Sequence, residues 1–184
     1  MPYTYRITES KLELTVTGAR GVSVQDINEI LKELDVLADG IKYQLFDADK
    51  IAGPNHIYYA AANADYAIRN GLNISNNLNV EMLLYAACEN QINKAIGLIG
   101  VSKKTEAVAV AVLSTNEEYK LSEAIASSLG IVDDSVLDIT PEKYESIKEL
   151  YGITEAAIDT VGADRSEALA SLISEKGSLL SLRR

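Results

Sequence analysis

Residues 79–100 read NVEMLLYAACENQINKAIGLIG, and the way this stretch is divided decides the fold. Apolar side chains recur at helical spacing on both sides of Glu89, Asn90 and Gln91. An unbroken helix would carry that polar triplet through its best apolar pattern. Each unpaired polar group in a buried helix costs about 1–3 kcal/mol, so the triplet is read as a break. The first helix, capped by Asn79, then ends near Cys88. Asn90 caps a second, on which Ile92, Ala95, Ile96 and Ile99 continue the stripe to Gly100. Gln91 and Asn93 fall on the exposed first turn of that second helix, where backbone N–H groups favour anions.

Upstream, GPNHIYYAAANADYAIRNG has Pro54 in a first helical turn and Gly71 past the end. Ile57, Ala60, Ala61, Ala64 and Ile68 form a stripe of small side chains suited to close helix contact. Before it, YTYRI and the alternating KLELTVTG predict a β-hairpin. SVQDINEILKELDVLADG predicts a helix capped at Ser23 and stopped at Gly40, with Ile27, Ile30, Leu31, Leu34 and Leu37 inward, and KYQLFDA predicts a further strand.

Downstream, EAVAVAVLS has Val108, Val110 and Val112 on one face and Ala107, Ala109, Ala111 and Leu113 on the other, the signature of a central strand covered on both sides. A helix through EAIASSLG, a short extended VLDI, a helix capped at Thr140, and two more ending with one boxed by Asp164 and Glu167 complete the chain. The expected class is α/β: a small mixed β-sheet flanked by many α-helices. It is read as one domain, with residues 1–132 as the mixed core and residues 133–184 as a helical C-terminal extension packed on it.

With 184 residues, 47% hydrophobic and 24% charged, the chain buries an ordinary core. No apolar run reaches the ~20 residues of a membrane span, and the start lacks a signal-like pattern, so the expected compartment is the cytoplasm, without a membrane partner. One cysteine and one histidine give no metal-ligand cluster and no internal disulfide; no metal or cofactor is expected. The net charge of -10 opposes sequence-independent nucleic-acid binding. Between Lys50 and Lys104, however, Lys50, Arg69, Lys94, Lys103 and Lys104 outnumber Asp65, Glu81 and Glu89.

Catalytic apparatus is sparse. His56 sits on the first turn of the small-residue helix, where capping or surface contact explains it as well as general-base chemistry does. Cys88 reads as a packing cysteine, and GLIGVSKK lacks the Gly-Lys-Ser/Thr of a phosphate loop. Asp47 and Asp49 in FDADK suit either a carboxylate site at a strand end or a solvated turn. One functional reading is thus a small-molecule enzyme or ligand-binding domain using His56, Asp47 and Asp49. Another is a protein-only adaptor without RNA contact.

From about Ile51 to Leu113, KIAGPNHIYYAAANADYA, NIS and VEMLLYAACENQINKAIGLIGV, in that order and spacing, resemble the small kinase-binding subunit of the KEOPS complex, the TPRKB-like family. The resemblance implies a non-catalytic chain that binds and activates the atypical kinase of KEOPS and helps hold the 3′ end of tRNA, weakly when alone, in a complex that makes threonylcarbamoyladenosine in tRNAs reading codons that begin with A. Archaeal members often carry a basic residue after the NIS stretch and an Arg before the Gln-Ile pair, where this chain has Asn76 and Asn90. The RNA-binding residues expected on this basis are Lys50, Arg69, Asn73, Asn90, Gln91, Asn93 and Lys94. Tyr58, Tyr59 and Tyr66 are candidates for base stacking, with core packing the simpler reading. Leu179, Leu180 and Leu182, or the small-residue helix, are the expected apolar contacts to the kinase.

Overall fold

The structure is a computed structural model that describes residues 1–182 apart from 8, 26, 116–118 and 163, and of Tyr119 the backbone only. Its elements are β1 (Tyr3–Ile7), β2 (Leu12–Arg20), α1 (Ile27–Ala38), β3 (Lys42–Asp47), α2 (Gly53–Arg69), α3 (Leu78–Ala87) and α4 (Ile92–Ile99). There follow β4 (Ala107–Ser114), α5 (Tyr119–Leu129), β5 (Ile131–Val132), α6 (Pro141–Tyr151), α7 (Glu155–Val161) and α8 (Arg165–Ser178). The class is α/β, with a small sheet and many helices. The chain forms two compact units: Met1–Asp49 with Gly100–Leu137, and Lys50–Ile99 with Asp138–Arg184.

The first unit holds the sheet, in the order β1-β2-β4-β3, with β5 paired to the end of β2. Every described pairing is antiparallel, where the sequence suggested mixed directions. The β1/β2 hairpin forms with Tyr3 opposite Val16, and β4 is central, with β2 on one side and β3 on the other. Val108, Val110 and Val112 pack with Tyr43, Leu45, Leu34, Ala38, Ile125 and Ala126 in one apolar cluster, and Ala109, Ala111, Leu14, Val16 and Phe46 on the opposite face are buried as well. Helix α1 begins at Ile27, so Ser23 is not its cap; the Ser23 hydroxyl instead accepts from Gln25 Nε2. Leu37 lies outward, and Ala38 takes the inward place.

VLDI is not extended. Ser135 N and Oγ both donate to Asp133 Oδ1, and this side-chain turn winds Asp134–Leu137 into a 3-10 helix. The turn is fastened to β2: Asp133 N donates to Gly18 O and Gly18 N donates to Asp134 Oδ1, each at 2.9 Å. A Cβ on Gly18 would lie 2.4 Å from Asp133 O, so only glycine permits this approach.

The second unit is helical. Residues Glu81 to Ala87 of α3 are all buried, the pattern of a helix enclosed on every side, and α2, α4 and α8 pack on it. The small-residue stripe of α2 is core: Ile57, Ala60, Ala61 and Ala64 are buried. On α8, Gly177 lies so close to α3 that a Cβ would come within 2.7 Å of Tyr85 O. Thr140, Thr154 and Asp164 cap α6, α7 and α8 through their side chains.

Candidate functional site

The break within residues 79–100 is real, and its chemistry differs in detail from the expectation. Asn77, rather than Asn79, occupies the cap position of α3, which starts at Leu78. The helix ends with Cys88 in the left-handed region (φ 53°), where Glu89 N donates to Leu84 O and Cys88 N to Tyr85 O, the paired bonds of a Schellman ending. Glu89, not Asn90, supplies the side chain at the next helix start: its Oε1 accepts from Asn90 N at 2.8 Å and Gln91 N at 3.2 Å. Those amides therefore already hold a carboxylate, which the positive end of α4 favours. Ala95 and Ile99 turn inward, whereas Ile92 and Ile96, expected in the same stripe, face solvent beside the exposed Asn90, Gln91, Asn93 and Lys94. Among the described residues Lys94 has no acidic partner.

The seven expected RNA-binding residues all belong to the helical unit, in two groups. His56 near the start of α2 bonds Ala86 near the end of α3, so the two helices run antiparallel. Tyr151 Oη donates to both Ala86 O (3.0 Å) and Lys50 O (3.3 Å), which places Lys50 at that same end with the 88–94 break. Arg69 closes α2 about 24 Å away, and Asn73 lies in the loop beyond it. Arg69 Nε is paired with the buried Asp65 at 2.9 Å. Asn73 spends its amide on Ser75 O and Asn76 Oδ1, shaping the loop.

That loop is held by a residue the sequence reading did not single out for this role. Glu81, fully buried, accepts from Ile74 N and from Ser75 N, the latter at 2.7 Å. An acid in the first turn of an otherwise apolar helix, just after a Ser/Asn-rich loop, was the available signal.

Between the two groups runs the outer face of α2. Tyr59 and Tyr66, for which core packing was the simpler reading, are 46% and 53% exposed; Tyr58 is half-buried against Tyr59, with ring centroids 5.2 Å apart. Of the leucines in the closing 3-10 turn (Leu179–Leu182), Leu180 is buried, while Leu179 and Leu182 are exposed. Because Gly177 abuts Tyr85 and Cys88, this turn leaves α8 at the same end of the unit as Lys50 and the break.

A family described as kinase binding protein CGI-121 matches residues 22–177, most of the chain and all of these positions except the leucine turn. The chain belongs to the CGI-121 family. It is also 30% identical over 142 residues to the regulatory protein Cgi121 of Methanocaldococcus jannaschii, a match covering 76% of this chain and 85% of that relative.

In this CGI-121 chain the residues of the enzyme reading have structural work. His56, expected at a cap or the surface, is buried; Nδ1 accepts from Ala52 N (3.2 Å), so Nε2 carries the proton and donates to Ala86 O (2.9 Å). Burial lowers its pKa to about 4, leaving it neutral with both nitrogens occupied. Asp47 is buried rather than solvated, its oxygens accepting from Asp49 N and from Thr105 Oγ1. Among the described residues no helix is long and apolar enough to cross a membrane.

Proposed function

We propose that this chain is a non-catalytic, regulatory subunit of the KEOPS tRNA-modification complex, binding and activating its atypical kinase and helping to hold the tRNA 3′ end. Membership of the CGI-121 family over residues 22–177 carries the kinase half of this reading. The neutral, doubly bonded His56 favours it over the enzyme reading, since a general base needs a free lone pair. The exposed Leu179 and Leu182, joined by Ile92 of the same unit, supply apolar side chains of the kind that centre a lasting protein contact. The RNA half rests on the cations Lys50, Arg69 and Lys94 with the exposed side-chain amides of Asn90, Gln91 and Asn93.

Two measurements test it. Recovery of the tagged chain from a native extract should bring down a small atypical kinase, and the Leu179→Glu/Leu182→Glu double variant should lose that partner while keeping its helical circular dichroism. Titration with intact tRNA and with tRNA lacking its 3′ nucleotides should show weaker binding of the shortened RNA, and of the Lys94→Glu variant to both. Kinase capture without any tRNA binding would leave the protein-only adaptor as the correct description.

A further inference from the structure

We infer that the outer face of α2 is a stacking track for unpaired nucleotides, with Tyr59 and Tyr66 as its two platforms. The inference deepens the RNA half of the proposed function and rests on it. The two rings are seven residues apart, two helical turns, which puts them on one side of α2 about 10 Å apart. Their neighbours on that side are Asn55, Asn63, Arg69 and Asn70, polar or cationic, with the half-buried Ala62 between the two rings. Two large aromatics left about half exposed, while Ile57, Ala60, Ala61 and Ala64 of the same helix are fully enclosed, are not serving the core.

The charge distribution selects the occupant. From Lys50 to Val80 the single acid is Asp65, which is buried and paired with Arg69, although the chain as a whole carries -10. Glu81, the next acid in sequence, is fully buried, and the carboxylate of Glu89, at the break, is held by Asn90 N and Gln91 N. Every base offers a π-face to a tyrosine ring regardless of sequence. The track also runs from the end of the unit holding Lys50 and the 88–94 break to the end holding Arg69 and Asn73. A single strand laid along it would meet a cation at each end and a ring in between.

The test uses the whole chain with intact tRNA, tRNA lacking its 3′ nucleotides, and a short unstructured oligoribonucleotide. Ten tyrosines and no tryptophan make tyrosine emission the reporter, and stacking should quench it on addition of the oligonucleotide, with less quenching in Tyr59→Phe/Tyr66→Phe, which retains the ring but not the phenol fluorescence. Affinity for intact tRNA should fall about five- to a hundredfold in each alanine variant, Tyr59→Ala or Tyr66→Ala. It should stay within about threefold of native in the phenylalanine variant, because stacking needs the ring and not the hydroxyl. Native affinity in the alanine variants, or absence of quenching, overturns the track and leaves the cation-based RNA reading standing. Loss of kinase capture with tRNA affinity unchanged overturns it in favour of a protein contact on α2. If the native chain binds none of the RNAs, the RNA half of the proposed function fails and the track with it.

Discussion

His56 is a neutral rivet between the start of α2 and the end of α3, and that gives it a pH signature. Unfolded, it takes a proton near pH 6.5; folded, it resists one until about pH 4. Its contribution is therefore complete above pH 6.5 and drains away as pH falls toward 4, where the unfolded state binds the proton and the folded state does not. The difference amounts to about 3 kcal/mol. Urea midpoints from pH 7.5 to 4 should fall more steeply for the native chain than for His56→Ala, which should also lose roughly 1–3 kcal/mol at pH 7.5 because Ala52 N and Ala86 O lose a partner. Parallel pH profiles would contradict the buried, neutral assignment. Glu81 acts at the same scale. Glu81→Ala should release the amide protons of Ile74 and Ser75 to rapid exchange, and Glu81→Gln should keep much of their protection through its remaining carbonyl oxygen. Equal protection in all three proteins would show that the loop holds itself. Neither role could be read from the sequence. A lone histidine and a first-turn glutamate announce that they want partners, but only the chain's return brings Ala86 to His56, and only the path of the loop turns Ile74 N, seven residues upstream, onto Glu81.

The elements themselves were largely written in local pattern. The hairpin, the central valine strand, the small-residue helix and the division at residues 88–91 follow from periodicity and caps, because those signals act over a few residues. What local pattern missed were cases where a side chain settled the boundary: Asp133 curling residues 134–137, Glu89 taking the position assigned to Asn90, and Ile92 and Ile96 turning outward from α4. The contact of α8 with α3 offers a test in which two effects have opposite signs. Helix propensity favours Gly177→Ala by about 1 kcal/mol. The added Cβ, 2.7 Å from a backbone oxygen of the neighbouring helix, forces the helices apart at roughly 1–3 kcal/mol. Packing should win, and the variant should unfold at lower urea concentration; a raised midpoint would mean that α8 slides on α3 at little cost.

At the scale of the whole molecule, a net charge of -10 limits how RNA can be held. A contact built on Lys50, Arg69 and Lys94 should give a log–log salt slope of about -2 for a single-stranded tail, flattened by about 0.7 when Lys94 is neutralised to Gln. A slope near -6 would require a basic surface other than these three residues. The route of the chain has a different consequence. Each compact unit is assembled from two separated segments, with passages at residues 49–50, 99–100 and 137–138. On the ribosome the sheet-bearing unit waits for β4, its central strand, long after its first three strands have emerged, and the helical unit waits for α8 at the end of synthesis. Trimming the start would consequently dismantle the sheet-bearing unit and trimming the end the helical one, each including a segment far from the cut, so a binding region mapped by trimming either end would report lost folding rather than a lost contact.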